Sequence, residues 1–548
     1  MQNSSDLRSD ARSTLQQSLT ELKTKYRSTK FILVLDDQVA PIFSSLFSMS
    51  ELMENNIVLV ERYSLKRKPL TSYHAIYLLG PDAEIGTFMA DWEKEPKYAA
   101  PHVFFTFACN TASLNKLEQA PSIVDRILTF KFLYLHFTPI DPFTFFANCP
   151  AAFNSLYSPG PKLSLDKAYT QMLHGLISFF FTIRAKPLVA YDKKFTNCAN
   201  FAKKFINDMD EQMNSFPPEI QQTFNQNNTL LVIIPRGSDP VAPLLHQFTF
   251  EAMVYEHYKV EDGVYKIKPE DPHSYLSLDY YYDTTYKELR YVHMENLIDN
   301  VRMLAQPFLD LQKQQQGTPQ EKTEANRKIT QCRQQYDQII SAFNVCIEIV
   351  ESKVTKAVMD ASAYEQTMAS GMKNADTKFK PSKVELSQFL SRNDINEEDK
   401  VRLLTIYAMT GKKMPPNEIQ RTMQSAGIDT KYKNAAINAD TIVEEIERKK
   451  KYDKEAYTTS KYIPYVSEVL HNAIDKKLHK KDFEIPESSA RYQNIVLFMM
   501  GGISFMELRE INEIRSKTRG MKIYVGSTGP LTPMSYVKEI GGLKDHPQ

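Results

Sequence analysis

Cysteine is scarce in this chain: five residues in 548, at Cys109, Cys149, Cys198, Cys332 and Cys346. Their number is odd and no two form a CxxC pair. The spacing matches neither a disulfide framework nor an ordinary zinc site. Reduced thiols in the cytosol fit that pattern. An excess of one charge is also missing. The 67 basic and 66 acidic residues leave a formal net charge of +1, whereas a dedicated nucleic-acid binder shows a basic surplus. No apolar run approaches the ~20 residues that span a bilayer; the longest lies near Leu176–Ile183. Residues 1–20 are polar and lack a signal-peptide core. Gln2 stands where a myristoyl chain needs glycine, and no C-terminal cysteine is offered to a prenyl group. The expectation is a cytoplasmic protein, recruited peripherally to a membrane through its partners.

Sequence signatures of enzymes are absent as well. The turn LDDQVAP after the first predicted strand has no glycine, so it is neither a GxGxxG fingerprint nor a P-loop. Gly501-Gly502 and Gly526–Gly529 (GSTG) match a phosphate loop only in part and read as tight turns. The eleven histidines are scattered, without HExxH. His246, in PLLHQFTF, reads as a core or interface histidine on a helix. There is no GxSxG elbow. Asp36 and Asp37 are adjacent, so on a strand they point to opposite faces, which is poor geometry for a cooperating pair. Arg236 and Asp239 in PRGSDP read as a salt bridge across a turn. No cofactor or metal is expected, and the chain reads as a non-enzyme.

What is present is enough apolar material, 42% of residues, for three or four compact units. The first 150 residues alternate helical stretches with short apolar runs: FILVLDD (31–37), IVLVERY (57–63), HAIYLLG (74–80), HVFFTF (102–107) and FLYLHFTPI (132–140). Nearly continuous hydrophobicity of this kind marks parallel strands buried on both faces. A second α/β region begins near Ala151, with a helix at 165–183, a strand LLVIIP at 230–235 and a helix PLLHQFTFEAMVYEHY. Its counterpart lies at the far end, where NIVLFMMGG (494–502) and KIYVGST (522–528) read as strands flanking a helix. A tail of roughly 60 residues is marginal alone, so it completes the earlier sheet and residues 258–480 form one long insertion.

The insertion reads as helical. Leu297, Val301, Leu304, Phe308 and Leu311 keep a 4-3-4-3 rhythm, as do Ile329, Cys332, Tyr336, Ile339, Phe343, Cys346 and Val350. Two such stripes predict a hairpin of antiparallel helices. Its tip is the polar stretch 312–328, broken by Gly317 and Pro319. Short helices follow over 381–445, starting near Pro381, Asn396 and Pro416. The basic runs 447–455 and 476–481 read as solvated surface. The fold class is α/β plus α: an arch of two open parallel α/β sheet domains with a large, mainly helical insertion. The expected divisions are an N-terminal extension or helix (1–27), a first α/β domain (28–149), a discontinuous second one (150–257 with 481–548), and helical parts at 258–372, with the hairpin, and 373–480.

Several stretches resemble one family. LLVIIPRGSDPVAPLLHQFTFEAMVYEHY (230–258), YYYDTTYKELRYVH (280–293) and IVLFMMGGISFMELREINEI with KIYVGSTGPLTP near the C-terminus are similar, in order, to the SM (Sec/Munc) proteins that bind syntaxin-type SNAREs. KRKPLTSYHAIYLLGP (66–81) and APHVFFT (100–106) resemble the plasma-membrane, exocytic branch. The resemblance implies a regulator of vesicle docking and fusion that holds a syntaxin-type SNARE in the cleft between the first domain and the helical insertion. It also implies contact with the assembled SNARE complex and with a vesicle SNARE at the hairpin tip, Gly317 and Pro319. Carried over by position, the cleft residues are Asp37, Glu61, Lys66, Arg67 and Lys68. Pro41, Ile42 and Phe43 stand where relatives carry basic residues. Leu114, Ile127 and Phe132 match a pocket for a syntaxin N-terminal peptide, with Phe132 in place of a glutamate; the plainer reading makes them core. Pro235 replaces an aspartate before Arg236. A monomer without nucleic acid is expected. The rival reading is an α/β hydrolase- or transferase-like enzyme with a helical lid.

Overall fold

A computed structural model of the chain describes residues 6–158, 162–224, 228–271, 274–373, 377–411, 413–443, 453, 459–487 and 492–543. The chain begins with a helix, Leu7–Lys25. Asp6 caps it by accepting from Ser9 N at 2.8 Å. Leu7, Ala11, Leu15, Leu19 and Leu22 recur every three or four residues and bury one face in the main core.

Five parallel strands follow: β1 (Phe31–Leu35), β2 (Ile57–Arg62), β3 (His74–Leu79), β4 (Pro101–Phe105) and β5 (Thr129–Phe132), in the order β2-β1-β3-β4-β5. β1 is buried along its whole length, because helices cover both faces of the sheet. The last apolar run is not one strand. β5 ends at Phe132, and Leu133–Phe137 cross to a second sheet. There β6 (Thr138–Asp141) pairs antiparallel with β7 (Thr144–Phe146). Leu133–Phe137, the crossing itself, is buried throughout, so hydrophobicity alone did not reveal it.

The second sheet has seven strands. Their order is Phe483–Glu484, β8 (Leu188–Asp192), β9 (Thr229–Pro235), Asn494–Met500, Lys522–Ser527, β7 and β6. Its centre is parallel and both margins are antiparallel. Thr229 pairs with Asn494, 265 residues away, so the intervening chain leaves this sheet and returns to it. The helix expected over PLLHQFTFEAMVYEHY is shorter than predicted. A 3-10 turn (Ala242–Leu244) and an extended stretch precede the helix Phe250–His257. Pro243 lies in that turn, and His246 is held in the extended stretch by ion pairs described below.

The insertion carries helices Met294–Gln314, Pro319–Gln331 and Arg333–Glu348, then Lys356–Ser370, Lys383–Leu390, Glu397–Thr410 and Pro416–Ala426. Leu297, Val301, Phe308, Ile339 and Cys346 of the two predicted stripes are buried, whereas Val350 is exposed. Cys332 sits at a break between the second and third helices. The tip is shorter than expected: only residues 315–318 lie outside the helices. The basic run 447–455 lies outside the described residues apart from Asp453. In 476–481 every residue but Leu478 is exposed.

Candidate functional site

The first helix after β1, Ala40–Leu46, turns its wall into a cleft. Ile42, Phe43 and Leu46 are buried, while Pro41 and Ser44 line two cavities. One, of about 360 Å³, has an apolar floor of Leu35, Phe43, Phe47, Leu52 and Val60, and its rim carries Asp37, Arg62 and Asp262. The other, of about 340 Å³, runs between Ser44 and Ser45 and the insertion, where Tyr280 and Tyr281 face it. The cleft thus has walls from the first sheet, the second sheet and the insertion.

Asp36 and Asp37 do part company at the end of β1. Asp36 is buried and accepts from Gly80 N at 2.9 Å. Asp37 remains exposed and meets Arg62 Nε at 2.7 Å. Glu61 is less free than the sequence suggested, since the Tyr98 hydroxyl donates to its Oε2 at 2.5 Å. Burial, with Glu61 adding to it, holds that phenol protonated far above its ordinary range. Arg67 does not face the cleft. It is buried, paired with Asp91 at 2.7 Å, and donates to the carbonyls of Arg62, Tyr63 and Leu65. Charge counts in a basic run cannot show that one member folds inward to satisfy a buried carboxylate. Lys66 and Lys68, on either side of it, are exposed.

Leu114, Ile127 and Phe132 lie away from this cleft, because β5 and β2 are opposite edges of the first sheet. Leu114 and Ile127 are half-buried against the cluster that contains Phe105. Phe132 is 37% exposed, with its ring 6.1 Å from Phe105 and 5.4 Å from Phe130. All three border the same apolar cluster, partly as core and partly as surface.

Some cleft residues went unnoticed in the sequence. Strands Val260–Glu261 and Val264–Lys266 form a hairpin whose two turn residues, Asp262 (φ 50°) and Gly263 (φ 73°), are both left-handed. The Asp-Gly pair between apolar residues in VEDGVY was a legible signal for it. Across the cleft, Arg8 donates to the carbonyls of Ser45 (2.7 Å) and Leu46 (3.1 Å) and to the Tyr282 hydroxyl. Its guanidinium stacks over the Tyr281 and Tyr282 rings at 4.9 and 4.4 Å. The N-terminal helix thereby ties the first domain to the insertion, a long-range contact without a local sequence signature.

At the hairpin, Pro319 is the first residue of the second helix rather than a stop for the first. Thr318 and Glu321 form a reciprocal capping box in front of it.

Among the described residues, one group of three could in principle ligate a metal: His246, Glu256 and Asp399. Arg402 already occupies the middle of it, 3.0 Å from His246 Nε2 and bonded to Glu256. This is a buried ion network joining the second domain to the insertion.

Two open α/β sheets forming an arch with a helical insertion define the structural class. The chain belongs to the Sec1 family, whose pattern matches residues 31–539. It is 25% identical to protein transport protein sec1 of Dictyostelium discoideum, over 94% of this chain and 95% of that protein. It is 22% identical to vacuolar protein sorting-associated protein 45 of the same organism, over 98% and 97%. Among solved structures, the Unc18–syntaxin 1 complex from Monosiga brevicollis superposes with a TM-score of 0.84 at 20% identity, covering 98% of this chain and 100% of that one. No helix among the described residues is long and apolar enough to cross a membrane.

Proposed function

We propose that this protein binds a syntaxin-type SNARE in the cleft around Pro41 and so regulates vesicle docking and membrane fusion. The observation that carries the reading is the open, three-walled cleft with an apolar floor and an exposed Asp37–Arg62 rim, in a chain of the Sec1 family. Such a groove suits an amphipathic helix, whose apolar face fills the floor while its polar flank meets the rim. The Monosiga relative is a complex with syntaxin 1, and the relatives' names point to protein transport and vacuolar sorting. Exocytosis is the step proposed, with the protein cytoplasmic and monomeric and drawn to membranes by its SNARE. Leu114, Ile127 and Phe132 are offered to a hydrophobic anchor in a syntaxin N-terminal peptide.

A pull-down against SNARE cytosolic domains of the plasma membrane and of endosomes tests this directly. One plasma-membrane syntaxin should be retained; retention of an endosomal one alone would move the step. Asp37→Arg is the cleaner charge reversal, because Glu61→Lys would also strip Tyr98 of its acceptor. Asp37→Arg should weaken the retained SNARE by about tenfold if the rim is partly desolvated, as read by calorimetry on folded protein. Unchanged affinity would place the SNARE elsewhere.

The hairpin is proposed to meet the assembled SNARE complex and the vesicle SNARE. Proline disfavours helical backbone in the residue before it, so Pro319 favours the extended Thr318 and the closed tip. Pro319→Ala removes that preference and permits a longer first helix. The capping box, worth ~1 kcal/mol, still favours the turn. Assembly in a liposome assay should therefore speed up by less than about fivefold. A further gain is expected when Thr318→Ala is added. Equal rates for wild type and both variants would rule this role out.

A further inference from the structure

Beside the cleft, a pocket of about 550 Å³ opens where Asp37 and Gln38 face the turns that follow strands 494–500 and 522–527. It lies at the carboxyl ends of parallel strands, the rim on which open α/β sheets gather ligands. Its glycines shape the wall. Gly502 has a φ of 99°, and a Cβ there would come within 2.6 Å of Leu531. A Cβ on Gly529 would meet nothing within 4 Å.

The polar groups of this pocket are unusually one-sided. No lysine or arginine lines it, whereas Asp37 and Glu539 do. Arg62 engages Oδ1 of Asp37, and Asn154 donates to Oε2 of Glu539. Each carboxylate therefore keeps one oxygen outside these contacts. His136 adds a buried polar group. Its Nδ1 lies 2.8 Å from the Thr106 hydroxyl, which is also 3.3 Å from Leu79 O. Its Nε2 makes no hydrogen bond to any described residue. His136 is more than nine-tenths buried and lines the pocket. Burial, with His174 adding to it, pushes its pKa down to about 3, so the ring stays neutral at neutral pH and adds no positive charge. A phosphate or carboxylate ligand would meet two carboxylates here, and Arg62 at the rim is already paired with Asp37.

We infer that this pocket receives a basic side chain, an arginine or lysine, of the polypeptide bound in the cleft. The inference rests on the cleft being a polypeptide site, as proposed above, and adds the chemistry read at its inner end. A guanidinium or ammonium group supplies N–H donors to the carboxylates, and to His136 Nε2 when the ring proton sits on Nδ1. Apolar side chains such as Phe146 and Pro41 cover its methylene stem.

The test uses the full chain and N-acetyl-arginine amide as probe, followed by NMR at the His136 ring, whose signal is assigned with His136→Gln. Saturable shifts in the millimolar range are expected for a single side-chain analogue. N-acetyl-citrulline amide, its uncharged isostere, should produce none. Gly529→Arg would fill the pocket from within and abolish the response. Glu539→Gln, which keeps shape and removes charge, should weaken it at least about fivefold and serves if Gly529→Arg does not fold. Absence of arginine-amide binding, or equal binding of the citrulline compound, overturns the inference. Tighter capture of free spermidine also overturns it, by making the occupant a diffusible polyamine. The probe needs no SNARE, so failure of the SNARE pull-down and failure of this pocket are separate results.

Discussion

Replacing Arg236 by methionine is expected to destabilise the protein by about 3–5 kcal/mol. Its side chain is fully buried, and its two terminal nitrogens each meet a Glu507 oxygen at 2.6 Å. The sequence suggested Asp239 as the ionic partner. Arg236 instead donates to the backbone carbonyl of Asp239, whose carboxylate serves Ala242 N, Tyr465 N and the Tyr462 hydroxyl. Glu507 has a second task, accepting from Ser504 N and Oγ at 2.9 Å each to cap the helix Phe505–Lys517. Methionine fills much of the arginine volume, so the loss would come from leaving a buried carboxylate with no cation. Arg236→Met/Glu507→Gln removes that charge and keeps the cap, and should recover a large part of the loss. Thermal unfolding of the three proteins decides it; a single-variant loss under about 1 kcal/mol would mean that water or another group replaces the guanidinium.

The second large effect belongs to His246 and carries a pH signature. His246 Nδ1 lies 2.9 Å from Glu365, and the His246 amide also donates to that carboxylate. Asp399 is 3.2 Å from Nε2. Burial and the Arg402 charge oppose protonation, but Glu365, Glu256 and Asp399 outweigh them. The imidazole is thereby raised from its ordinary 6.5 to about 10. A folded-state value above the unfolded one stabilises the fold fully below pH ~6.5, and that contribution is lost as the pH climbs towards about 10. His246→Leu leaves Glu365 with the backbone amide of residue 246 and with Arg402 as its cation, 3.7 Å away, and should cost about 3 kcal/mol or more near neutral pH. The wild-type advantage over the variant should shrink steadily between pH ~6.5 and ~10. An advantage that stays level over that window would show that the buried imidazole is neutral.

The outline was legible because long, strongly patterned segments report themselves. The apolar strands β1, β3 and β9, the 3-4 spacing of Met294–Gln314 and the return of 494–527 to an earlier sheet each left a clear trace in composition. The failures share a different cause. Arg67 sits in a run of exposed cations and folds inward because Asp91, 24 residues on, is buried and needs it. Leu133–Phe137 look like strand because that stretch is buried throughout. His246 sits in an apolar sequence that resembles a helix, yet Glu365 and Asp399, more than 100 residues on, together with Glu256 of the next helix, hold it extended. Partners remote in sequence decide each of these positions, and periodicity carries no information about them. The cleft was partly legible. Asp37 followed from its place after β1, whereas Arg8, Asp262 and Tyr282 required the folded chain.

The pairing of Thr229 with Asn494 also bears on how the molecule is made. β9 leaves the ribosome with one long side unpaired, and its neighbour is not synthesised until some 265 residues later. At ~5–20 residues per second that wait is roughly 13–50 s. During it, the edge of β9 and the apolar face of β8 resemble the sticky margins that drive strand-to-strand aggregation. The insertion has time to fold in the interval. A nascent chain stalled before residue 494 should therefore be the species that most needs a chaperone, and a nonsense truncation just before that residue should be recovered as insoluble protein.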